Sequence, residues 1–331
     1  MLFVLILSSS ASRAQDLHFS QFDGALLNIS PAYTGLFDGV YRYSAIYRSQ
    51  WQAVPVGYNS FNMNAETVLK PAFLERDKIG AGISFYNDRA GDARYGITQI
   101  FGQGSYIHIP RADTNFLISF GVNMGWSRVG FDLSKMSFDN QYDGVSFNPV
   151  AYNGEQFTRT RDGYFDLNLG SVAEYRFSGT RKISFGIGLH HITQPVLTYQ
   201  GNDFSKLDFR YSNMIGYYTR IGYSTHLITE ALISVQGKNY ELIPHLGLKY
   251  VLDEDEGRAV SAGLCLRARD ALVMRVGYHF KRFNSGMSYD INLSPFQAAS
   301  NRRGGFEIFV NQVIGPKRLS TARRRICPVF M

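Results

Sequence analysis

The sequence predicts an all-β protein, a single transmembrane antiparallel up-and-down β-barrel of about 14 strands. Three observations predict it. Aromatic residues make up 15% of the 331 residues, while charged residues make up only 18%. No stretch approaches the roughly 18 consecutive apolar residues of a membrane-spanning helix, which excludes a helical membrane protein but not a barrel. From Val40 onward apolar and polar residues alternate with a period of two, not 3.6.

The chain opens on a targeting segment. Leu2 to Leu7 are all apolar, and small residues follow, with Ser12 and Ala14 placed for cleavage before Gln15. Residues 1–14 therefore read as the end of a secretory signal peptide whose basic start is expected upstream of Met1. Residues 15–39 form a lead-in, plug-like segment rich in turn formers. Four roles fit it: lining the lumen, covering the periplasmic mouth, binding a partner, or leading in order to the first strand.

The barrel proper is expected over 40–314. Its strands fall near 40–49, 58–69, 78–88, 94–108, 114–127, 162–176, 181–190, 211–223, 229–237, 241–251, 258–267, 271–281, 285–293 and 303–313. In the clearest of them Leu272, Met274, Val276, Tyr278 and Phe280 point one way, and Arg275, Gly277, His279 and Lys281 the other. Leu242, Leu246, Leu248 and Tyr250 likewise oppose His245 and Lys249. Charges lie mid-strand opposite long apolar faces and aromatics cluster toward strand ends. That suits a wet lumen, a lipid-facing band and aromatic girdles better than a soluble sandwich. Hydrocarbon offers no partner to an open sheet edge, so the sheet must close. The two longest connections, 128–161 and 191–210, are the fifth and seventh and so share one side, while turns such as Ser178-Gly179-Thr180 are short. Long loops outside and short turns in the periplasm is the outer-membrane pattern, and it places both termini in the periplasm.

Residues 315–331 form a basic tail with five basic residues and no acid, out of a formal net charge of +7. It reads either as a solvated tail or as a periplasmic docking peptide, Arg323, Arg324, Arg325 and Phe330 being its contact residues. Nucleic acid is not an expected partner of an exported chain without a basic groove.

Few other motifs carry chemistry. Cys265 and Cys327 are too far apart for a CxxC pair, and Cys265 falls within a strand as a small buried side chain. The run Asp139 to Gly144 hints at a calcium loop, but Val150 stands where the closing Glu belongs. His190 and His191 are neighbours on a strand and are expected on opposite faces. No nucleophile elbow or phosphate-cradling loop appears, so no catalytic residue, cofactor or metal ligand is assigned.

Five motifs resemble a known family. Gln15-Asp16-Leu17-His18-Phe19-Ser20-Gln21, followed by Asn28, Pro31-Ala32-Tyr33-Thr34-Gly35, looks like the start of PorP/SprF-type proteins, which read roughly Q-D-P-x-F-S-Q-Y and then N-P-A-x-x-G. Tyr47-Arg48-Ser49-Gln50-Trp51, the strand Ile79 to Asp88 and Gly286-Met287-Ser288-Tyr289-Asp290 resemble later motifs of the family. Leu17 replaces the usual Pro, and Ile29-Ser30 intrude before Pro31. The resemblance implies an outer-membrane component of the type IX secretion and gliding machinery, not an enzyme. Its implied partners are outer-membrane lipid, periplasmic parts of the machine and the C-terminal domain of a secreted adhesin. Asn28, Pro31, Ala32 and Tyr33 become candidate partner-binding residues. A diffusion porin and, less strongly, a barrel lipid hydrolase are the alternatives.

Overall fold

The computed structural model describes residues 16, 18–52, 57–91, 93–155, 157, 159–200, 203–295 and 300–315. The expected signal segment 1–14, Gln15, Leu17 and the tail from 316 onward, with Arg323, Arg324, Arg325, Cys327 and Phe330, lie outside the described residues.

The wall begins with β1 (Tyr41–Gln50), β2 (Tyr58–Leu69), β3 (Lys78–Ala90), β4 (Tyr95–His108) and β5 (Phe116–Gly130). It continues with β6 (Arg161–Ser178) and β7 (Arg181–His190), after which a small hairpin, β8 (Val196–Gln200) and β9 (Asp203–Lys206), stands apart. Then come β10 (Arg210–Arg220), β11 (Thr225–Gln236), β12 (Asn239–Asp253) and β13 (Arg258–Arg267). The last three are β14 (Ala271–Phe280), β15 (Phe283–Asn292) and β16 (Arg303–Ile314). All strands but β8 and β9 form one closed antiparallel barrel of fourteen, sealed where β1 pairs with β16 from Tyr41↔Ile314 to Gln50↔Gly305. Closure leaves no unpaired edge for the bilayer to accommodate.

The alternation sorts the two faces as expected. Met274 and Val276 are 46% and 59% exposed, while Arg275 between them is 8% exposed. Leu242, Leu246, Leu248 and Tyr250 point outward and His245 is buried in the lumen. With fourteen strands, the connections 131–160 and 191–209 share one rim, and Tyr41 and Ile314 lie at the other. The larger boundary differences from the sequence reading have local causes. Consecutive apolar Leu227 and Ile228 blur the start of β11, which begins at Thr225. β6 runs on to Ser178 past a bulge between Arg176 and Ser178.

Two expectations are corrected. The hairpin β8–β9 folds back within what reads as an open loop. His190 and His191 do not face opposite ways: His191 has φ of 59°, so the chain turns there and both imidazoles are buried on the lumen side. In the loop at 131–160 the Asp143 carboxylate accepts the backbone N–H groups of Val145 at 2.8 Å and Ser146 at 2.6 Å. That acid builds a turn.

The apolar core lies inside the barrel. Phe22, Leu27, Ile29, Ala32 and Tyr33 of the lead-in pack against Val172, Met214, Leu232, Ile243, Cys265 and Val273 of the wall. Burying each of the larger side chains contributes roughly 1.5–3 kcal/mol. Cys265 is fully buried in this cluster, as expected of a small core residue.

Candidate functional site

Asp16 and residues 18–40 traverse the lumen. Asp16 lies beside Arg210, Gln236 and His191, at the rim with the long loops. Gly35 meets Glu66 and Gly80 near the opposite rim, where Val40 joins the wall through a 2.8 Å bond to Ile314. The described chain therefore starts at the rim opposite Tyr41 and Ile314.

Local sequence shapes the segment. Phe22–Asn28 forms a 3-10 stretch, and a second 3-10 turn covers Pro31–Tyr33. Ser30 accepts the N–H of Ala32 at 3.3 Å, and Pro31 occupies a first-turn position where no N–H is needed. The inserted Ser30 thus caps the turn. Wall hydroxyls then satisfy segment carbonyls, Ser105 donating to Thr34 at 2.6 Å, Ser119 to Ala32 at 2.7 Å and Ser212 to Ile29 at 2.7 Å. At Gly121 and Gly188 the backbone of the segment, at Ala32 and Ile29, fills the space a Cβ would need.

Three clusters of buried charge fix the segment. In the first, Glu307 accepts the N–H groups of Ser20 at 2.7 Å and Gln21 at 2.8 Å. Arg48 binds the His18 carbonyl at 2.9 Å, Asp290 at 3.1 Å and Glu307 at 3.3 Å. Arg267 reaches Asp290 at 2.6 Å, and Asp290 also accepts the Ser20 hydroxyl at 3.1 Å. Arg48, Arg267, Asp290 and Glu307 are each at most 3% exposed, so each needs its partner. In the second cluster Arg42 pairs with Glu66 at 2.7 Å, Glu66 takes the Gly35 N–H at 3.1 Å and Arg42 donates to the Tyr33 carbonyl at 3.3 Å. The third holds the beginning of the segment. His191 lies between Asp16 at 2.5 Å and Asp166 at 2.7 Å, and Arg210 stands 3.4 Å from Asp16. Burial opposes an imidazolium there, but the flanking Asp16 and Asp166 carboxylates outweigh it, and the His191 pKa is pushed up to about 9. Between the clusters Asp23 pairs with Arg275.

Sequence reasoning assigned none of Glu307, Arg267, Arg42, Glu66 or Arg210. Their mid-strand charge was visible and was expected to face water. The lumen instead brings them onto the segment, which meets every strand of the barrel, and voids of about 30 Å³ remain beside Asp16 and His18. Such voids hold a water or two. Of the candidate partner-binding residues, Pro31, Ala32 and Tyr33 are buried against the wall and Asn28 gives its carbonyl to Arg210 at 2.7 Å. They present little surface while the segment is seated. Three of the motifs noted in the sequence meet in one place, since Ser20, Arg48 and Asp290 belong to the first, third and last of them.

Fold and site together define an outer-membrane-type β-barrel whose lumen is occupied by its own N-terminal segment. The chain matches, over residues 11–311, the family described as type IX secretion system membrane protein PorP/SprF, and it belongs to that family. No curated protein matches it. Among solved structures it is similar to a FadL homologue of Pseudomonas aeruginosa, with TM-score 0.51 and 11% identity over 86% of this chain and 92% of that one. It is similar also to a TodX deletion mutant, a monoaromatic hydrocarbon channel, with TM-score 0.53 and 9% identity over 87% of this chain and 92% of that one. A third is CymD, another monoaromatic hydrocarbon channel, with TM-score 0.50 and 9% identity over 89% and 93% of the two chains. At these identities the likeness concerns the fold alone.

Proposed function

We propose that the protein is a non-enzymatic outer-membrane component of type IX secretion that supports secretion or surface attachment of adhesin-type substrates through protein–protein contacts. In this reading the long loops are outside, the wall anchors the protein in lipid, and Tyr41 and Ile314 face the periplasm. The observation that carries it is the segment 16–40, held by buried ion pairs where a diffusion pore keeps water. A barrel filled in this way offers surfaces at its rims rather than a path through its centre. The tail serves as the periplasmic docking peptide, Arg323, Arg324 and Arg325 steering it and Phe330 adding an apolar contact.

A deletion strain should lose an adhesin from its surface while keeping its general permeability, and planar bilayers carrying the protein should show little conductance. The similarity of fold to hydrocarbon channels favours a second reading, a small-solute channel. A large steady conductance with undisturbed adhesin display supports that reading and overturns the first.

A further inference from the structure

Outside the lumen, at the rim with the long loops, the lipid-facing surface carries a cleft of about 380 Å³ walled by Arg89, Arg94, Arg128 and Arg161. The sheet register explains its shape. Arg89, Gly96, Gly130 and Arg161 stand side by side across β3, β4, β5 and β6, and Arg128 lies on the same outer face two residues deeper, opposite Thr98. Two glycines between two arginines make a floor with walls. A Cβ at Gly130 would come within 2.7 Å of the Arg161 stem, so any side chain there would intrude on the cleft. Strands lie roughly 4.8 Å apart, which sets the outer arginines about 14 Å apart at their Cα atoms. That span is wider than a single small anion.

The arginines are exposed, and the side chains of Arg89, Arg128 and Arg161 form no hydrogen bond or ion pair with another described residue. Of the two acids that line the cleft, Asp88 receives the Ser60 hydroxyl in the lumen, and Asp132, beside Arg94, accepts the Ser134 N–H at 3.2 Å and its hydroxyl at 2.7 Å. Asp162, outside the cleft, pairs with Arg159 at 3.2 Å. Arg94 sits at φ of 49°, a conformation that favours Gly or Asn, yet the turn carries a guanidinium there. Directly beneath lies the lipid-facing band, with Trp126 at 57%, Ile100 at 51% and Met124 at 49% exposure. Arg128 is two residues from Trp126, roughly 7 Å along the strand, and an outward tryptophan marks the membrane interface. The guanidiniums therefore stand at headgroup depth, where a forked donor suits phosphate oxygens.

We propose that this cleft binds the phosphorylated headgroup of a glycolipid in the outer leaflet. The proposal rests on the placement of the long loops outside the cell. Full-length protein purified in detergent would be assayed by native mass spectrometry with three probes: diphosphoryl lipid A, its dephosphorylated form and phosphatidylglycerol. The wild type should retain the diphosphoryl form selectively, and the combined change Arg89→Gln, Arg128→Gln and Arg161→Gln should weaken retention roughly 10- to 100-fold. Arg181→Gln, a charge change at the opposite rim, should leave retention unchanged. Heat-modifiable migration on gels would show that the triple variant folds. Equal retention by wild type and triple variant, or equal retention of the dephosphorylated probe, overturns the site. Equal retention of phosphatidylglycerol reduces it to general attraction for anionic lipid and overturns the glycolipid assignment. Surface labelling of Ser146→Cys in intact cells reports the orientation separately, so an inverted barrel is distinguished from a cleft that does not bind.

Discussion

Arg48 is 1% exposed and touches a backbone carbonyl and two carboxylates. Its removal leaves Asp290 and Glu307 in the interior with less compensation. Arg48→Met should therefore destabilise the barrel by about 3–5 kcal/mol, the range for breaking a buried pair. Arg111→Ala, which removes an exposed pair with Glu75, should cost less than ~1 kcal/mol. Urea unfolding in lipid vesicles compares the two, and equal losses would show that the Arg48 cluster does not hold the segment. His191 gives a second test at this scale. Its pKa is pushed up to about 9 in the folded protein, by Asp16 and Asp166 against the opposing effects of burial and of Arg210 and His190 nearby. A raised pKa stabilises the folded state fully below the ordinary histidine value of about 6.5, and the contribution is lost as pH rises through about 9. Hydrogen exchange of the amides at 16–21, corrected for intrinsic rate, should accelerate between pH 7 and 10, and His191→Gln should flatten that dependence. A pH-independent rate in the wild type would contradict the anchor.

At the scale of the strand, β14 offers the clearest comparison. Val276 faces lipid and is 59% exposed, whereas His279 faces the lumen and bonds to Asn284 at 2.7 Å and Ser261 at 3.1 Å. Val276→Arg should cost roughly 2–4 kcal/mol if it lies near the bilayer midplane, and His279→Arg much less. Gly277 is a poorer comparison, because Ser261 Oγ stands where its Cβ would go. Folding yield into vesicles measures both, and equal tolerance would reverse the two faces. The strands were legible because each repeats a period-two pattern that only a two-faced sheet produces. Leu272 to Phe280 shows this without any structure. What the alternation does not encode is what a lumen-facing charge pairs with. Glu307 and Asp290 looked like residues facing water, since their partners at Ser20, Gln21 and Arg267 lie far away in the chain. The segment itself has no period to read, and its place was legible only as one of several roles. The hairpin β8–β9 was missed because its five- and four-residue strands are too short for alternation to declare itself.

At the scale of the whole molecule, the parity of fourteen strands ties the two long loops to one rim and the turn at Glu254 to the other. A single cysteine placed at Ser146 should react with an impermeant reagent in intact cells, and one placed at Glu254 should react only after the outer membrane is opened. Surface reaction at Glu254 would invert the barrel and with it the proposed outer-leaflet site. The rims also differ in electrostatic character. The cleft at Arg89 and Arg161 lies at the rim with the long loops, while at the opposite rim Arg220 pairs with Glu254 and Arg258 with Asp253 and Glu256 around the short turns.

The seam between β1 and β16 sets Arg48 directly opposite Glu307, and that same carboxylate takes the amides of Ser20 and Gln21. Sealing the cylinder and seating its contents are therefore one event. A wall that closed empty would leave Glu307, Asp290 and Glu66 without the donors the segment gives them and would forgo the burial of Phe22, Leu27, Ile29 and Tyr33. The vacant cylinder is a worse product than the filled one. The assembling chain thus carries its own quality control: the order in which it is made, segment first and closing strand last, puts the template in hand before the final join.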